Sequence, residues 1–490
     1  MDTSIQNLGQ LKASKYKSKS IQDEMRSNLV KHLSAGENVF EGIVGFEDTV
    51  IPDIERAILS RHNILLLGLR GQAKTRLARL MVRLLDEYIP VVAGSEINDD
   101  PLHPISRFSI DLIKSLGDDT PIEWLHRSDR YVEKLATPDV SIADLIGDVD
   151  PILAATLKLP FSDERVIHFG LIPRSHRCIF VINELPDLQA RIQVALFNIL
   201  QEEDIQIRGF KLRLPLNVSF VFTANPEDYT NRGSIITPLK DRIESQILTH
   251  YPTEIADAMR ITAQEAKLSE SQSENIVVPD ILKELLERIS FVARDSDWVD
   301  EQSGVSARLS ISGYENMVST AERRMLINKE KKTTVRVSDF WGVIPSITGK
   351  VELVYEGEQE GPYSIALKLI EQAVKEVFSN YFPNPDKKIK QGSGKDPYQK
   401  IKAWFAAGNS IELFHDIPDA EYKERLQLVS GLAEFAVDQG IKNPDLLTHL
   451  ELILHGLSVY HVIHRDLLDN KLTFSDILAG MLDDIEDGEE

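Results

Sequence analysis

The chain has 490 residues, enough for roughly three domains, and its 42% hydrophobic and 27% charged residues are ordinary for a globular protein. Its formal net charge of −22 argues against a nucleic-acid partner, because an acidic surface repels a phosphate backbone. The single cysteine, Cys178, excludes a disulfide framework and a multi-cysteine zinc site.

No apolar run approaches the roughly 18–20 residues of a membrane span, and the polar start of the chain has no signal-peptide core. We therefore expect a cytoplasmic protein.

Four parts are predicted along the chain. Residues 1–35 form an N-terminal tail or helix, and the lysines at its centre are interpreted as a solvated, partly disordered stretch. Residues 36–250 form an α/β domain and residues 251–350 a helical lid. Residues 351–490 form a C-terminal helical extension with a polar linker at about 383–397 and an acidic tail.

Three short apolar runs in the second part are typical of buried strands, namely Asn63–Leu67, Cys178–Ile182 and Val218–Thr223. Helical patterns separate them, notably Leu188–Glu202, and this alternation predicts an α/β fold with a parallel sheet flanked by helices. The segment between residues 96 and 174 is too long for a plain strand–helix connection, so we expect it to contain additional elements.

The remainder of the chain has helical periodicity. The predicted helices are Glu254–Leu268, Pro279–Val292, Ser310–Ile327, Lys400–Phe405, Ala420–Val437 and Leu446–His461.

A glycine-rich segment lies between the first strand and the following amphipathic helix. Backbone N–H groups of such a turn can point at the phosphates of a nucleotide, while the Lys74 amine reaches the β- and γ-phosphates and the Thr75 hydroxyl ligates Mg²⁺. Ala73 occupies the second glycine position of a strict P-loop, and we expect it to be tolerated only with φ below zero. The alternative is a flexible strand–helix turn with an incidental lysine. The candidate phosphate-binding residues are Gly68, Leu69, Arg70, Gly71, Gln72, Ala73, Lys74 and Thr75.

Two polar residues, Asn183 and Glu184, end the second strand. In a P-loop ATPase this strand end holds the water shell of Mg²⁺ and polarises the attacking water. We expect Glu184 to be the base and Asn183 to lie beside Mg²⁺, where it supplies an oxygen without a charge. Metal affinity should therefore be weak, and Asn183→Asp should tighten it. The alternative is a surface-exposed pair at a strand end.

Three further residues are candidates for the same reaction. Asn225, after the third strand, can hydrogen-bond the attacking water or the γ-phosphate, or simply form a turn before Pro226. Arg242 can enter a neighbouring subunit's site and stabilise charge on the γ-phosphate. Arg308 could fold onto the nucleotide from the helical lid. Each arginine is otherwise an ordinary solvated residue of a helix.

These residues, in this order, resemble the AAA+ superfamily over about residues 36–350. Within it they look most like the clade that joins MoxR-type ATPases and the magnesium-chelatase ATPase subunit. The Ala-Lys-Thr ending of the P-loop is similar to that of MoxR proteins. Asn225 matches the first sensor, Thr237–Arg242 resembles the arginine-finger segment and Gly304–Arg308 resembles the second sensor. Asn183 departs from the usual Asp.

Two other segments carry the resemblance. Phe40–Gly45 resembles the segment that lies near the adenine, so Val44 and Gly45 join the candidate nucleotide contacts. A helix followed by a hairpin at Gln206–Leu214 resembles the pair that precedes the first sensor.

The resemblance implies ATP and Mg²⁺ as cofactors, a homo-hexameric ring with ATP at each interface, and a partner that often carries a von Willebrand factor A-type domain. The leading hypothesis is an ATPase that remodels or activates this partner. The second is the motor subunit of a metal chelatase that drives metal insertion into a tetrapyrrole. The third, suggested by Asn183, is a nucleotide-binding scaffold with weak hydrolysis.

Overall fold

The computed structural model divides into two compact units, Met1–Tyr251 and Pro252–Glu490. The residues that it describes are 3–161, 163–202, 214–226, 234–386, 396–442, 444–468 and 471–477. Within these ranges, no helix has the length and apolar character needed to cross a membrane.

The first unit alternates helices and strands. Its helices are α1 (Leu8–Ala13), α2 (Ile21–Ala35), α3 (Val50–Leu59), α4 (Lys74–Leu80), α5 (Arg107–Leu116), α6 (Ile142–Leu145), α7 (Pro151–Leu157), α8 (Leu171–Arg174), α9 (Ala190–Glu202) and α10 (Thr237–Arg242). Its strands are β1 (Ile64–Leu67), β2 (Tyr88–Val92), β3 (Ile122–His126), β4 (Tyr131–Leu135), β5 (Gly147–Val149), β6 (Ile167–Phe169), β7 (Ile179–Asn183), β8 (Ser219–Ala224) and β9 (Ser245–Leu248).

Five parallel strands form the central sheet in the order β4-β7-β8-β1-β9. Side chains of β1 alternate between two cores: Leu65 and Leu67 pack with α9 on one face, while Ile64 and Leu66 pack with α2, α3 and α4 on the other. Burial on both faces explains why these strands appear in the sequence as continuous apolar runs. The predicted fold class, a parallel sheet flanked by helices, is confirmed.

The N-terminal residues belong to the folded unit. Leu8 and Leu11 of α1 pack with Ile122, and α2 buries Met25 and Leu29 in the core shared with α3 and α4. The interpretation of the lysine-containing stretch as a partly disordered tail is therefore wrong. The sequence does contain ordinary signals of helix α2, namely its apolar spacing and the Ser20 cap. The interpretation as a tail gave more weight to the lysines that precede this helix.

The segment between residues 96 and 174 contains the expected additional elements. Its strand β4 joins the edge of the central sheet, and β5 and β6 form a separate antiparallel pair on either side of α7. The hairpin predicted at Gln206–Leu214 falls almost wholly on residues 206–213, outside the described residues.

The second unit is mainly helical. Its helices are α11 (Ile255–Glu265), α12 (Glu270–Asn275), α13 (Asp280–Arg294), α14 (Arg308–Ile327), α15 (Ile344–Thr348), α16 (Tyr355–Glu360), α17 (Pro362–Tyr381), α18 (Gln399–Ala406), α19 (Asp419–Leu428), α20 (Leu432–Asp438) and α21 (Leu446–Val459). Its strands are β10 (Ile276–Val277), β11 (Thr333–Thr334), β12 (Ile411–Phe414), β13 (His464–Leu468) and β14 (Lys471–Ser475).

One hydrophobic core runs through the described part of this unit, from Ile276 in β10 to Phe474 in β14. Two features differ from the prediction. An antiparallel sheet in the order β12-β14-β13 accompanies the helices, and the single helix predicted over Ala420–Val437 is divided into α19 and α20 by Gly431, whose φ is +84°. The predicted domain boundaries, with the linker that covers residues 387–395 outside the described ranges, remain predictions.

Candidate active site

The loop between β1 and α4 is the first part of the site. Gly71 and Ala73 both lie in the left-handed region, with φ of +75° and +53°. The expectation that Ala73 has φ below zero is therefore wrong, and an L-residue in this conformation costs roughly 1–2 kcal/mol. A Cβ on Gly68 would overlap the side chains of Gln72 and Thr249, so that position requires glycine.

The Lys74 side chain is folded back into this loop. Only 7% of the residue is exposed. Its amine donates to the carbonyl oxygens of Gly68 and Leu69, the latter at 3.0 Å, and to Asn225 Oδ1 at 2.7 Å. The lysine of the loop thus reaches the end of the neighbouring strand β8.

The Asn225 side chain also contacts Glu184. Its Nδ2 donates to Glu184 Oε2 at 3.0 Å, so one amide joins the lysine of the loop to the carboxylate that follows β7. Glu184 has φ of +56°, and its backbone N–H donates to Thr223 Oγ1 at 3.2 Å. The structure therefore brings together Lys74, Glu184 and Asn225, which the sequence assigned to one site. Parallel strands make this possible, because their carboxyl ends meet at one edge of the sheet.

Two hydroxyl oxygens lie close to the side-chain oxygen of Asn183. Thr75 Oγ1 lies 3.5 Å from Asn183 Oδ1, which also accepts from Thr223 Oγ1 at 3.0 Å. Asn183 is only 8% exposed, so it is not a surface residue at a strand end. Mg²⁺ prefers oxygen ligands about 2.0–2.1 Å away, and neighbouring ligands of an octahedral ion lie about 3 Å apart. The Thr75 and Asn183 oxygens therefore fit a magnesium ion.

Glu133 is a member of this site that the sequence did not reveal. It lies in β4, which pairs with β7, and its Oε1 accepts from Asn183 Nδ2 at 2.7 Å. Arg79 donates to the same carboxylate at 3.0 and 3.2 Å, and Tyr131 donates at 3.1 Å. Burial and the Glu133 charge raise the pKa of Tyr131, and the hydrogen bonds to Glu133 raise that of Arg79.

The loop is also held from the end of β9. Thr249 Oγ1 donates to Gln72 Oε1 at 2.7 Å, and the Tyr251 hydroxyl donates to the Arg70 carbonyl at 2.8 Å. The first bond holds the Gln72 side chain, and the second holds the backbone of the loop through the Arg70 carbonyl.

The candidate adenine segment lies close to this end of β9. Gly45 has φ of +80°, and the ring of the next residue, Phe46, lies 5.0 Å from that of His250. His250 Nε2 is 2.8 Å from Thr49 Oγ1. His250 directly precedes the tyrosine that contacts the loop, but the contact of Val44 and Gly45 with a nucleotide remains a prediction.

The two candidate arginines have separate surroundings. Arg242 ends α10, where its guanidinium is 2.6 Å from an Asp241 carboxylate oxygen and 5.6 Å from the centre of the Phe197 ring. Arg308 begins α14 in the second unit, and its backbone N–H donates to Ser306 Oγ at 3.2 Å. Their roles toward a nucleotide remain predictions.

No family model matches the chain. No curated protein matches it either.

Solved structures show distant likenesses. NtrX from Brucella abortus is 15% identical with a TM-score of 0.35, over 60% of this chain and 55% of the NtrX chain. A proposed ATPase from Cytophaga hutchinsonii is 16% identical with a TM-score of 0.29, over 74% and 97%. A chain of the complex between the BchI and BchD subunits of magnesium chelatase is 17% identical with a TM-score of 0.33, over 65% and 98%. The match thus spans only about half of NtrX, and likenesses this distant assign neither family nor function.

The molecule itself gives the class of fold. A five-stranded parallel sheet, a glycine-rich loop after β1 with its lysine directed at the end of β8, and polar residues ending β7 and β8 form a P-loop α/β domain. A mainly helical unit follows it. This is the architecture that the resemblance to AAA+ ATPases implies.

Proposed function

We propose that this protein binds ATP and Mg²⁺ at Gly68–Thr75, hydrolyses the ATP, and uses the reaction to remodel or activate a partner protein. One observation carries the proposal: the Asn225 amide contacts both the Lys74 amine and the Glu184 carboxylate. A phosphate-binding cation and a candidate base therefore lie on either side of one polar side chain.

Each side chain has a definite task in this proposal. Lys74 exchanges its carbonyl and Asn225 contacts for phosphate oxygens, which accept stronger, charge-assisted hydrogen bonds. Glu184 accepts a proton from the attacking water, and the Asn225 donor at 3.0 Å fixes the direction of that carboxylate.

Thr75 and Asn183 would hold Mg²⁺ through the two oxygens that lie 3.5 Å apart. When bound, Mg²⁺ neutralises charge on the β- and γ-phosphates.

The assembly and the partner rest on the resemblance to AAA+ ATPases. It supports a hexameric ring in which Arg242 of one subunit stabilises the γ-phosphate bound by the next, and Arg308 couples nucleotide occupancy to the second unit. It also supports a partner with a von Willebrand factor A-type domain. The exposure of the Arg242 side chain, 42%, is compatible with its use by a neighbour.

A nucleotide-binding scaffold with weak hydrolysis is the second candidate. Asn183 favours it, because an amide beside Mg²⁺ supplies no charge. Turnover separates the two functions. The scaffold predicts saturable ATP binding with little phosphate release.

The test is ATP hydrolysis by the wild type and by Glu184→Gln, with nucleotide affinity measured on both. We expect Glu184→Gln to bind ATP normally and to lose at least about 100-fold in turnover, the usual contribution of a general base. Glu301→Gln, an exposed glutamate of the second unit, is the matched control and should retain wild-type turnover. Equal turnover in the wild type and Glu184→Gln would contradict the proposed role of Glu184.

A further inference from the structure

We infer that Glu133 is a positioning residue that holds the Asn183 amide with its oxygen toward Thr75. Asn183 and Glu133 together then take the place of a single carboxylate beside Mg²⁺. The inference rests on the proposed function, and it concerns two side chains on adjacent strands, β4 and β7.

The orientation of the amide follows from the chemistry of its neighbours. An ionised carboxylate only accepts hydrogen bonds, so the Asn183 atom 2.7 Å from Glu133 must be the nitrogen. The oxygen is then directed at Thr75, 3.5 Å away. Without Glu133 the orientation would rest on hydroxyl contacts alone. Hydroxyl groups can also accept hydrogen bonds, so the amide could then turn over and direct N–H groups at the metal side.

A second contact fixes the same orientation from the opposite side. The Thr223 hydroxyl accepts the backbone N–H of Glu184 at 3.2 Å, which leaves its own hydrogen for Asn183 Oδ1 at 3.0 Å. The hydrogen bonds therefore run in one direction from Glu184 through Thr223 and Asn183 to Glu133. Chains of this kind polarise each member, which makes the Asn183 oxygen more negative than that of an isolated amide.

The charge balance explains why an amide is present at all. Glu133 already places a negative charge in direct contact with Asn183. Arg79 and Tyr131 donate hydrogen bonds to the same carboxylate. A carboxylate at position 183 would lie within hydrogen-bonding distance of Glu133. Two carboxylates this close repel each other and have no hydrogen to share, so the new carboxylate would turn away from Glu133 and lose its fixed orientation.

This geometry reverses the expectation for Asn183→Asp. The sequence predicts tighter Mg²⁺ binding, whereas the contact with Glu133 predicts no gain or a loss. Exchanging both residues, in Asn183→Asp/Glu133→Gln, restores a single charge and a single hydrogen bond, because the Gln amide can donate to the new Asp. In that variant the carboxylate faces Thr75 directly.

The experiment measures the affinity of a fluorescent ATP analogue in Mg²⁺ and in EDTA, for the full-length wild type and the variants. The ratio of the two affinities is the magnesium enhancement. Glu133→Ala should reduce it by about 10-fold, as removal of a residue that supports a metal ligand generally does. Asn183→Asp should not exceed the wild type, and Asn183→Asp/Glu133→Gln should equal or exceed it. Glu123→Ala, at an exposed glutamate of strand β3 in a separate sheet, should change nothing.

The affinity in EDTA shows whether each variant remains folded and able to bind, because this measurement does not involve the metal. If Asn183→Asp alone tightens magnesium binding as much as the double variant, Glu133 does not position Asn183 and the inference is overturned. If the wild type binds no nucleotide in either condition, the proposed function itself fails, and this inference fails with it.

Discussion

Replacing Ala73 by glycine should stabilise the first unit. Ala73 has φ of +53° and ψ of 14° immediately before Lys74, in a region that disfavours any residue with a Cβ. Relief of this strain is worth roughly 1–2 kcal/mol, while the added freedom of glycine in the unfolded chain costs about 0.4–1 kcal/mol. The free energy of unfolding should therefore rise by about 0.5–1 kcal/mol. For a unit of this size the midpoint of unfolding should rise by roughly 1–4 °C.

The single cysteine provides an assay for this unit alone. Cys178 is completely buried in the core of the first unit, and burial raises the pKa of its thiol to about 11. The thiol should therefore react with a labelling reagent only when the unit unfolds. Labelling after brief exposure to increasing temperature gives the unfolding midpoint without interference from the second unit.

The matched control makes the same chemical change inside α4. Ala78 is completely buried, so Ala78→Gly should lower stability by at least about 1 kcal/mol through helix propensity alone. Opposite signs for the two variants would support strain at position 73. If Ala73→Gly lowers the midpoint as Ala78→Gly does, the reasoning from the backbone conformation is refuted.

Three further predictions concern other parts of the molecule. Arg324 is completely buried and 2.9 Å from Asp339, so Arg324→Met should lower the free energy of unfolding of the second unit by about 3–5 kcal/mol. Arg323→Met, on the surface, should lower it by at most about 1 kcal/mol. Urea unfolding compares the two variants, and equal losses would contradict the assignment of a buried ion pair. Burial lowers the pKa of His176 to about 4, so the unfolded chain takes up a proton before the folded chain does as the pH falls. The first unit should therefore lose up to about 3 kcal/mol between pH 6.5 and 4, and His176→Gln should show a correspondingly smaller loss when thiol labelling is repeated across this range; identical pH profiles would contradict it. Arg242→Ala should preserve ATP binding and lower turnover only in assembled rings, as hydrolysis assays on size-separated fractions would show; an equal loss in monomers would exclude a role in the neighbouring subunit.

The sequence was most informative about the buried strands and the polar residues that come soon after them in the chain. Strand β1, Ile64–Leu67, covers the four apolar residues of the predicted run Asn63–Leu67, because a strand buried on both faces has apolar side chains throughout. Glu184 and Asn225 follow such strands immediately, and Lys74 comes at the end of the loop after β1, so the meeting of these three residues at one edge of the sheet could be expected.

Other features could not be predicted, for identifiable physical reasons. Strand β4 lies at the edge of the sheet and is only partly buried, so it has no apolar run, and Glu133 was missed with it. Ala73 lies in a loop that Thr249 and Tyr251 contact after the end of β9, and these contacts join residues far apart in the chain. The propensity of a residue type does not contain such information.

The central claim is that Gly68–Thr75 binds a nucleotide through Lys74, and calorimetric titration of ATP into the wild type and Lys74→Ala tests it most directly. The account predicts saturable binding to the wild type and a loss of at least about 10-fold in affinity for Lys74→Ala, since one hydrogen bond from a charged amine contributes about 1.5–3 kcal/mol. Lys332→Ala, an exposed lysine of the second unit, should bind as the wild type does. Equal affinity in the wild type and Lys74→Ala, or no saturable binding to the wild type, would contradict the account.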